Sequence, residues 1–194
     1  PAINVHPSLL PKYRGPSPMQ SAILNGDAKT GISIMLLNQG MDSGPILAQQ
    51  EIALSDQEST QTLEAKVCQL GPKLLLDTID QFLNNKIKPI PQNEAEATVC
   101  TMLERSDAEI TWNESLEEID RKIRAFDPWP GTYFELAGNN RRLSAETLVK
   151  AGKSVIRIKI IKACLDKTGL NLLEVQPAGK KPMSIDQFIN GYLS

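Results

Sequence analysis

Leu63, Val67, Leu70, Leu74, Leu75, Ile79, Phe82 and Leu83 recur at helical spacing through residues 59–85, so they line one stripe of an amphipathic α-helix that must be buried against a second element. Gly71-Pro72 falls inside the run and predicts a kink, because proline brings no backbone donor. The residues before this helix read differently. Ile3 and Val5 alternate with Asn4 and His6 in a short strand that Pro7 and Pro11 end. Residues 8–18 form a loop, and residues 17–26 a short helix with Ser17 as N-cap, Pro18 at its first position and Gly26 at its close. Two β-rich runs, residues 31–37 and 46–54, flank the turn-forming segment 38–44 and predict a hairpin with a long, glycine-bounded loop.

After the long helix, residues 86–98 are polar, contain two prolines and show no period, and predict an interdomain linker. Ser115 followed by Glu118 predicts a capping box for a helix whose Leu116, Ile119, Ile123 and Phe126 share a face, ended by Pro128 and Pro130. Short strands are expected at residues 132–136, 141–148, 154–163 and 170–175, a pattern of a small barrel, with a last helix opened by a Ser184/Gln187 capping box. Trp112, Phe126 and Trp129 are expected in its core.

Of the 194 residues 41% are hydrophobic and 23% charged, ordinary for a globular chain. No run of about eighteen apolar residues and no signal-peptide pattern occurs, so a cytosolic protein without a membrane partner is expected. Three scattered cysteines and one histidine argue against disulfide scaffolding and a zinc site. Charge is uneven: 11 Lys/Arg stand against 19 Asp/Glu in residues 1–137, and 10 against 4 in residues 138–194. The basic end suits a polyanion such as nucleic acid, or equally a solvated strand surface.

Asn4 and His6 stand at a strand end, where ligands gather in open α/β sheets, and Asp42 sits in a glycine-bounded loop. An amide and an imidazole can both donate to the oxyanion of an acyl-transfer intermediate, where losing one donor costs roughly 3 to 4 kcal/mol of barrier. A carboxylate beside the ring would orient it and take a proton. Taken singly, the same residues serve as readily as a hydrogen-bonded structural histidine and as turn formers.

The run Asn4-Val5-His6-Pro7-Ser8-Leu9-Leu10-Pro11-Lys12-Tyr13-Arg14-Gly15 resembles the signature of the folate-dependent formyltransferases, and Gly40-Met41-Asp42-Ser43-Gly44 resembles their second motif. Arg14-Gly15 with Pro18-Met19-Gln20, then Ile110-Thr111-Trp112, residues 123–131, 173–177 and 179–183, resemble the methionyl-tRNA formyltransferase branch of that family. The resemblance implies catalytic Asn4, His6 and Asp42, and a Ser8-Leu9-Leu10-Pro11 loop against the folate. It further implies 10-formyltetrahydrofolate as formyl donor with no metal, and initiator methionyl-tRNA as acceptor in translation initiation. Among the basic residues, Arg157, Lys159 and Lys162 are the expected tRNA contacts, with Lys150, Lys153, Lys180 and Lys181 second, and Arg14 serves as readily as a tRNA contact or as a simple loop charge. Pro16-Ser17 and Pro45 depart from the family pattern and bear on loop shape alone.

The fold so implied is α/β: residues 1–90 the C-terminal part of a Rossmann-like formyltransferase domain, 91–100 a linker, and 101–194 a small OB-like β-barrel that binds tRNA, the whole acting as a monomer. Because the chain opens on Pro1 and runs straight into a strand, an N-terminally truncated protein is expected, with its first strand an unpaired edge and no activity alone. Two other readings stay open, a formyltransferase acting on a sugar-nucleotide amine and a catalytically dead tRNA-binding fragment.

Overall fold

A computed structural model describes residues 1–137 and 155–192. The chain divides into two compact units, Pro1–Leu103 and Glu104–Ser194.

In the first unit, β1 (Ile3–His6), β2 (Lys29–Leu36) and β3 (Ile46–Ala53) form an antiparallel sheet in the order β1-β2-β3. β1 is the edge strand of this sheet, and its outer side is unpaired among the described residues. It pairs with β2 along its length, Asn4 opposite Met35 and His6 opposite Ser33. The short helix α1 (Pro18–Leu24) has Ser17 at its N-cap position, but the Ser17 hydroxyl donates to the Thr101 carbonyl instead of capping the helix.

The long helix α2 (Thr60–Leu83) runs as one element through Pro72, which lies on its exposed side. Ser59 caps it, its hydroxyl accepting from the Thr62 amide at 3.2 Å. Its apolar stripe packs on β2 and β3. Leu63 is fully buried, while Leu83 is exposed. At buried Gly71 the helix comes close enough for Val5 and Ile32 to meet it, which assigns Ile3, Val5, Ile32 and Ile34 to the face that α2 covers.

Residues 86–98, expected as a linker, are laid onto this unit. Ile46 and Ile90 exchange two backbone hydrogen bonds at 2.8 Å, and Arg14 is bracketed by Thr98 and Cys100 through bonds of 2.9 and 2.8 Å. Extended backbone has as many donors and acceptors as any strand, and here they find partners on the sheet and on the loop after β1.

In the second unit, helix α3 (Leu116–Ala125) opens with the expected box, Ser115 and Glu118 each bonding the other's backbone amide. β4 (Tyr133–Ala137), β5 (Val155–Asp166), β6 (Gly169–Pro177) and β7 (Met183–Ser184) form a sheet in that order, followed by α4 (Ile185–Tyr192), which the Ser184/Gln187 pair caps. Among the described residues this sheet is open, with no pairing of β4 to β7, so the expected barrel is not closed by them. The strand expected at residues 141–148, and Lys150 and Lys153, lie outside the described residues. Ile110, Ile119, Phe134, Ile158, Ile160, Val175 and Phe188 make the core. Phe126 is buried as expected, but Trp112 and Trp129 are about half exposed, at 49% and 53%. Trp112 meets the core through an edge-to-face contact with Phe134.

Candidate active site

Because α2 covers the Val5 side of β1, Asn4 and His6 project from the opposite face. His6 is only 4% exposed. Its Nε2 lies 2.9 Å from the Tyr13 carbonyl, which can only accept, so this nitrogen carries a hydrogen and the ring is locked in one orientation. Nδ1 faces the Asp42 carboxylate at 3.6 Å, an approach a little longer than a hydrogen bond. Asn4 is half-buried on the same face, and its amide has no hydrogen-bond partner among the described residues. The three side chains named from sequence are thus placed differently. His6 and Asp42 are brought together, and Asn4 joins them by sharing the strand face of His6.

Asp42 is held by more than its turn. Its backbone has φ 46°, the left-handed region that aspartate tolerates better than most residues. Its Oδ2 accepts the Gly15 amide at 2.8 Å. The Gln92 amide nitrogen donates to both the Asp42 and Gly44 carbonyls, each at 2.8 Å. Gly44 must be glycine, since a Cβ there would overlap the Leu36 carbonyl.

The Ser8–Pro11 loop is tied down by two residues that sequence reasoning did not single out. Ser33 Oγ donates to the Ser8 carbonyl at 2.6 Å and accepts from the Leu10 amide at 3.0 Å. Gln49 Nε2 donates to Ser33 Oγ at 2.8 Å and to the Leu10 carbonyl at 2.9 Å. Ser8 and Leu10 are buried, Leu9 packs on Gly31, and Leu9 and Pro11 remain half-buried. The available signal was a polar side chain inside the apolar run Ile32-Ser33-Ile34; its partner on β3 is visible only once register is known.

Arg14, expected either as a tRNA contact or as a loop charge, is buried and paired. It is 8% exposed. Its Nε and Nη2 donate to Gln92 Oε1 at 3.0 and 2.8 Å, and Nη1 and Nη2 donate to the Glu94 carboxylate at 2.9 and 2.8 Å. Hydrogen bonding to Glu94, joined by the charges of Glu94 and Asp42, raises the guanidinium above its usual value against the opposing effect of burial. Four of its five N–H donors are engaged within the first unit. Beside it, burial and the Asp27 carboxylate push the Tyr13 phenol up to about 12, although the Asn25 amide opposes the rise.

The other expected tRNA contacts lie on β5 of the second unit. Arg157 stacks over the Tyr133 ring at 4.1 Å and pairs with Glu135 at 3.2 Å. Lys159 is half-buried, its stem against Gly131, and Lys162 is exposed. Among the described residues no group of His, Cys, Asp and Glu is arranged to hold a metal, and no helix is long and apolar enough to cross a membrane.

Two family models match the chain: formyl transferase over residues 1–79, and formyl transferase, C-terminal domain, over residues 102–193. The methionyl-tRNA formyltransferase of Pseudoalteromonas translucida is 38% identical over 97% of the chain, and the chain spans 62% of that relative's length. Among solved structures, the methionyl-tRNA formyltransferase from Clostridium thermocellum matches with a TM-score of 0.62 at 21% identity, over 94% of this chain and 68% of that one. An N-formyltransferase from Helicobacter canadensis, solved with folinic acid and dTDP-3-aminofucose, matches with a TM-score of 0.60 at 25% identity, over 64% of this chain and 46% of that one.

Proposed function

From a chain that belongs to the formyl transferase family, we propose a methionyl-tRNA formyltransferase that moves a formyl group from 10-formyltetrahydrofolate to the α-amine of methionine esterified to initiator tRNA. The observation that carries the reading is the approach of the Asp42 carboxylate to within 3.6 Å of His6 Nδ1, beside an Asn4 amide that has no partner among the described residues.

The neutral amine attacks the formyl carbon, a new C–N bond forms, and the carbonyl oxygen becomes an oxyanion. The Asn4 amide and a protonated His6 Nδ1 donate to that oxygen. Tyr13 supports this by holding Nε2, which leaves Nδ1 as the ring's working edge. The amine's proton passes to Asp42, directly or through one water. As the intermediate collapses, the bond between the formyl carbon and the folate nitrogen breaks and that nitrogen takes up a proton. Catalysis here is positioning and charge stabilisation, with the one-carbon unit carried by the folate.

The Ser8–Pro11 loop, with Leu9 and Pro11 half-buried at its surface, is the proposed wall of the folate site; the Helicobacter relative's folinic acid supports a folate-type ligand for this family. Residues 1–90 act as part of the catalytic domain, and residues 101–194 as an OB-like tRNA-binding domain presenting Arg157, Lys159 and Lys162. The enzyme acts as a monomer in the cytoplasm, where translation begins. The 38% match running through residues 102–193 favours tRNA over a sugar-nucleotide amine, since the sugar enzyme's likeness covers only 64% of the chain. The test is competition: the protein carrying this chain, given 10-formyltetrahydrofolate, should formylate methionyl-tRNA in preference to a dTDP-amino sugar. Preference for the sugar would overturn the assignment.

A further inference from the structure

We propose that Gln92 is a positioning residue of the active site, setting the Asp42 carboxylate against His6 from outside the sheet; the kinetic half of this claim rests on the formyl-transfer reading above.

A primary amide has two N–H donors and two carbonyl lone pairs, and all four are used at Gln92. Its nitrogen donates to the Asp42 and Gly44 carbonyls, and its oxygen accepts two bonds from Arg14. The amide cannot turn over, because reversal would set its NH2 against a guanidinium and its oxygen against two carbonyls. Arg14 is fixed in turn by the paired bonds to Glu94. On either side of Arg14 the backbone reaches the two reacting partners: the Tyr13 carbonyl meets His6 Nε2, and the Gly15 amide meets Asp42 Oδ2. A closed circuit results, running from Arg14 through the Gln92 amide to the Asp42 backbone, across the Asp42 carboxylate to Gly15, and back along one peptide bond. Asp42 occupies a left-handed conformation, which persists where the surroundings over-determine it. Gln92 grips the carbonyls at and two residues beyond that position, so it fixes the turn itself. Its own segment is anchored by the Ile46–Ile90 bridge on one side and the Thr98–Cys100 bonds to Arg14 on the other.

Gln92 touches no reacting atom. It acts through Asp42, so its loss should alter the surroundings of the imidazole and the chemical step while leaving substrate affinity nearly intact. Gln92→Glu separates these effects, because the carboxylate still accepts from Arg14 but has no hydrogen to give the two carbonyls.

The test uses the protein carrying this chain, labelled with 15N-histidine, with the His6 signals identified by their loss in His6→Gln. Gln92→Glu should move the His6 ring resonances toward those of Asp42→Asn. It should lower kcat on the order of 100-fold, the scale of an ångström-sized misplacement, with KM for either substrate held within about two-fold. Asn93→Ala, whose side chain bonds only Ala95 and Glu96 among the described residues, should leave both readouts at the wild-type level. A folded Gln92→Glu protein with unmoved His6 resonances overturns the proposal. If those resonances move but the wild-type protein transfers no formyl group, the positioning role stands and the formyl-transfer reading falls. Should Gln92→Glu fail to fold, the wild-type Gln92 side-chain amide decides: its hydrogens should exchange at least about ten-fold more slowly than those of exposed Gln57 and Gln61, and exchange at their rate overturns the proposal.

Discussion

The hydroxyl of Ser33 donates to the carbonyl of Ser8 and accepts the amide hydrogen of Leu10, so one β2 side chain fixes the course of the loop that leaves β1. Both serines are fully buried. In Ser33→Ala the Leu10 amide loses its partner and the Ser8 carbonyl and Gln49 amide each lose one, at a site closed to solvent. A cost of about 2 to 4 kcal/mol follows from stranding such groups. Urea unfolding should show it as a lowered midpoint, and KM for the folate should rise because the loop no longer holds its shape. An unchanged midpoint would show that the loop is held by other means.

His6 and Asp42 give a second prediction. Asparagine tolerates a left-handed backbone nearly as well as aspartate, so Asp42→Asn should preserve the loop while removing its charge and its ability to take a proton. A fall in kcat of about 100- to 10,000-fold is expected from losing that function. His6→Ala removes an oxyanion donor, with a loss of about 100- to 1,000-fold. The double variant should be little worse than the poorer single one, because the two groups serve one step. Near-normal formylation by either single variant removes that residue from the mechanism.

These two predictions draw on residues of unequal visibility. The Ser115/Glu118 and Ser184/Gln187 caps were legible because each partner lies three residues from the other, and helix geometry brings them together without help. The α2 stripe was legible for the same reason, from periodicity. His6 and Asp42 were legible only through their motifs, since their approach depends on the β1–β2 pairing and the hairpin loop. Gln49, Gln92 and Glu94 carry no local pattern. Their roles arise from β3 register and from an arm whose polar, proline-bearing composition reads as a linker, yet whose backbone pairs with Ile46 and Arg14. The Arg14 pairing was hidden for a related reason: a charged residue in a loop is usually solvated, and nothing nearby in sequence announces that Glu94 answers it.

Glu58 allows a prediction about pH. It is 3% exposed, just ahead of the Ser59 cap of α2, and takes bonds from Lys66 and, at 2.6 Å, from the Thr62 hydroxyl. Burial alone would raise its carboxyl, but the Lys66 and Thr62 bonds outweigh it and hold the group below the usual carboxylate range. The helix N-terminus favours the same charged form. With the folded pKa below an unfolded value of about 4.3, the stabilisation is fully present above that value and is lost as pH falls through the folded pKa. Glu58→Gln should therefore be less stable than wild type at pH 7, and the difference should shrink on acidification below about pH 4. A difference that stays constant with pH would mean that the loss comes from packing and not from charge.

The β5 cations differ in how far their charge is already answered, and under the proposed tRNA-binding role this should order their effects. Lys162 is exposed and makes no ion pair among the described residues, although Glu174 stands opposite it on β6, whereas Arg157 pairs with Glu135 and stacks on Tyr133. A cation that neutralises one phosphate releases about one counterion, and removing it should flatten the plot of log affinity against log salt by close to one unit. Lys162→Ala should approach that full change. Arg157→Ala should flatten the slope less, because part of the Arg157 charge is spent on Glu135 before any phosphate arrives. Glu135→Gln should then steepen the slope by releasing Arg157 toward the nucleic acid. Filter-binding titrations with initiator tRNA over a range of salt concentrations would measure all three, and equal slopes across the set would remove β5 from the binding surface.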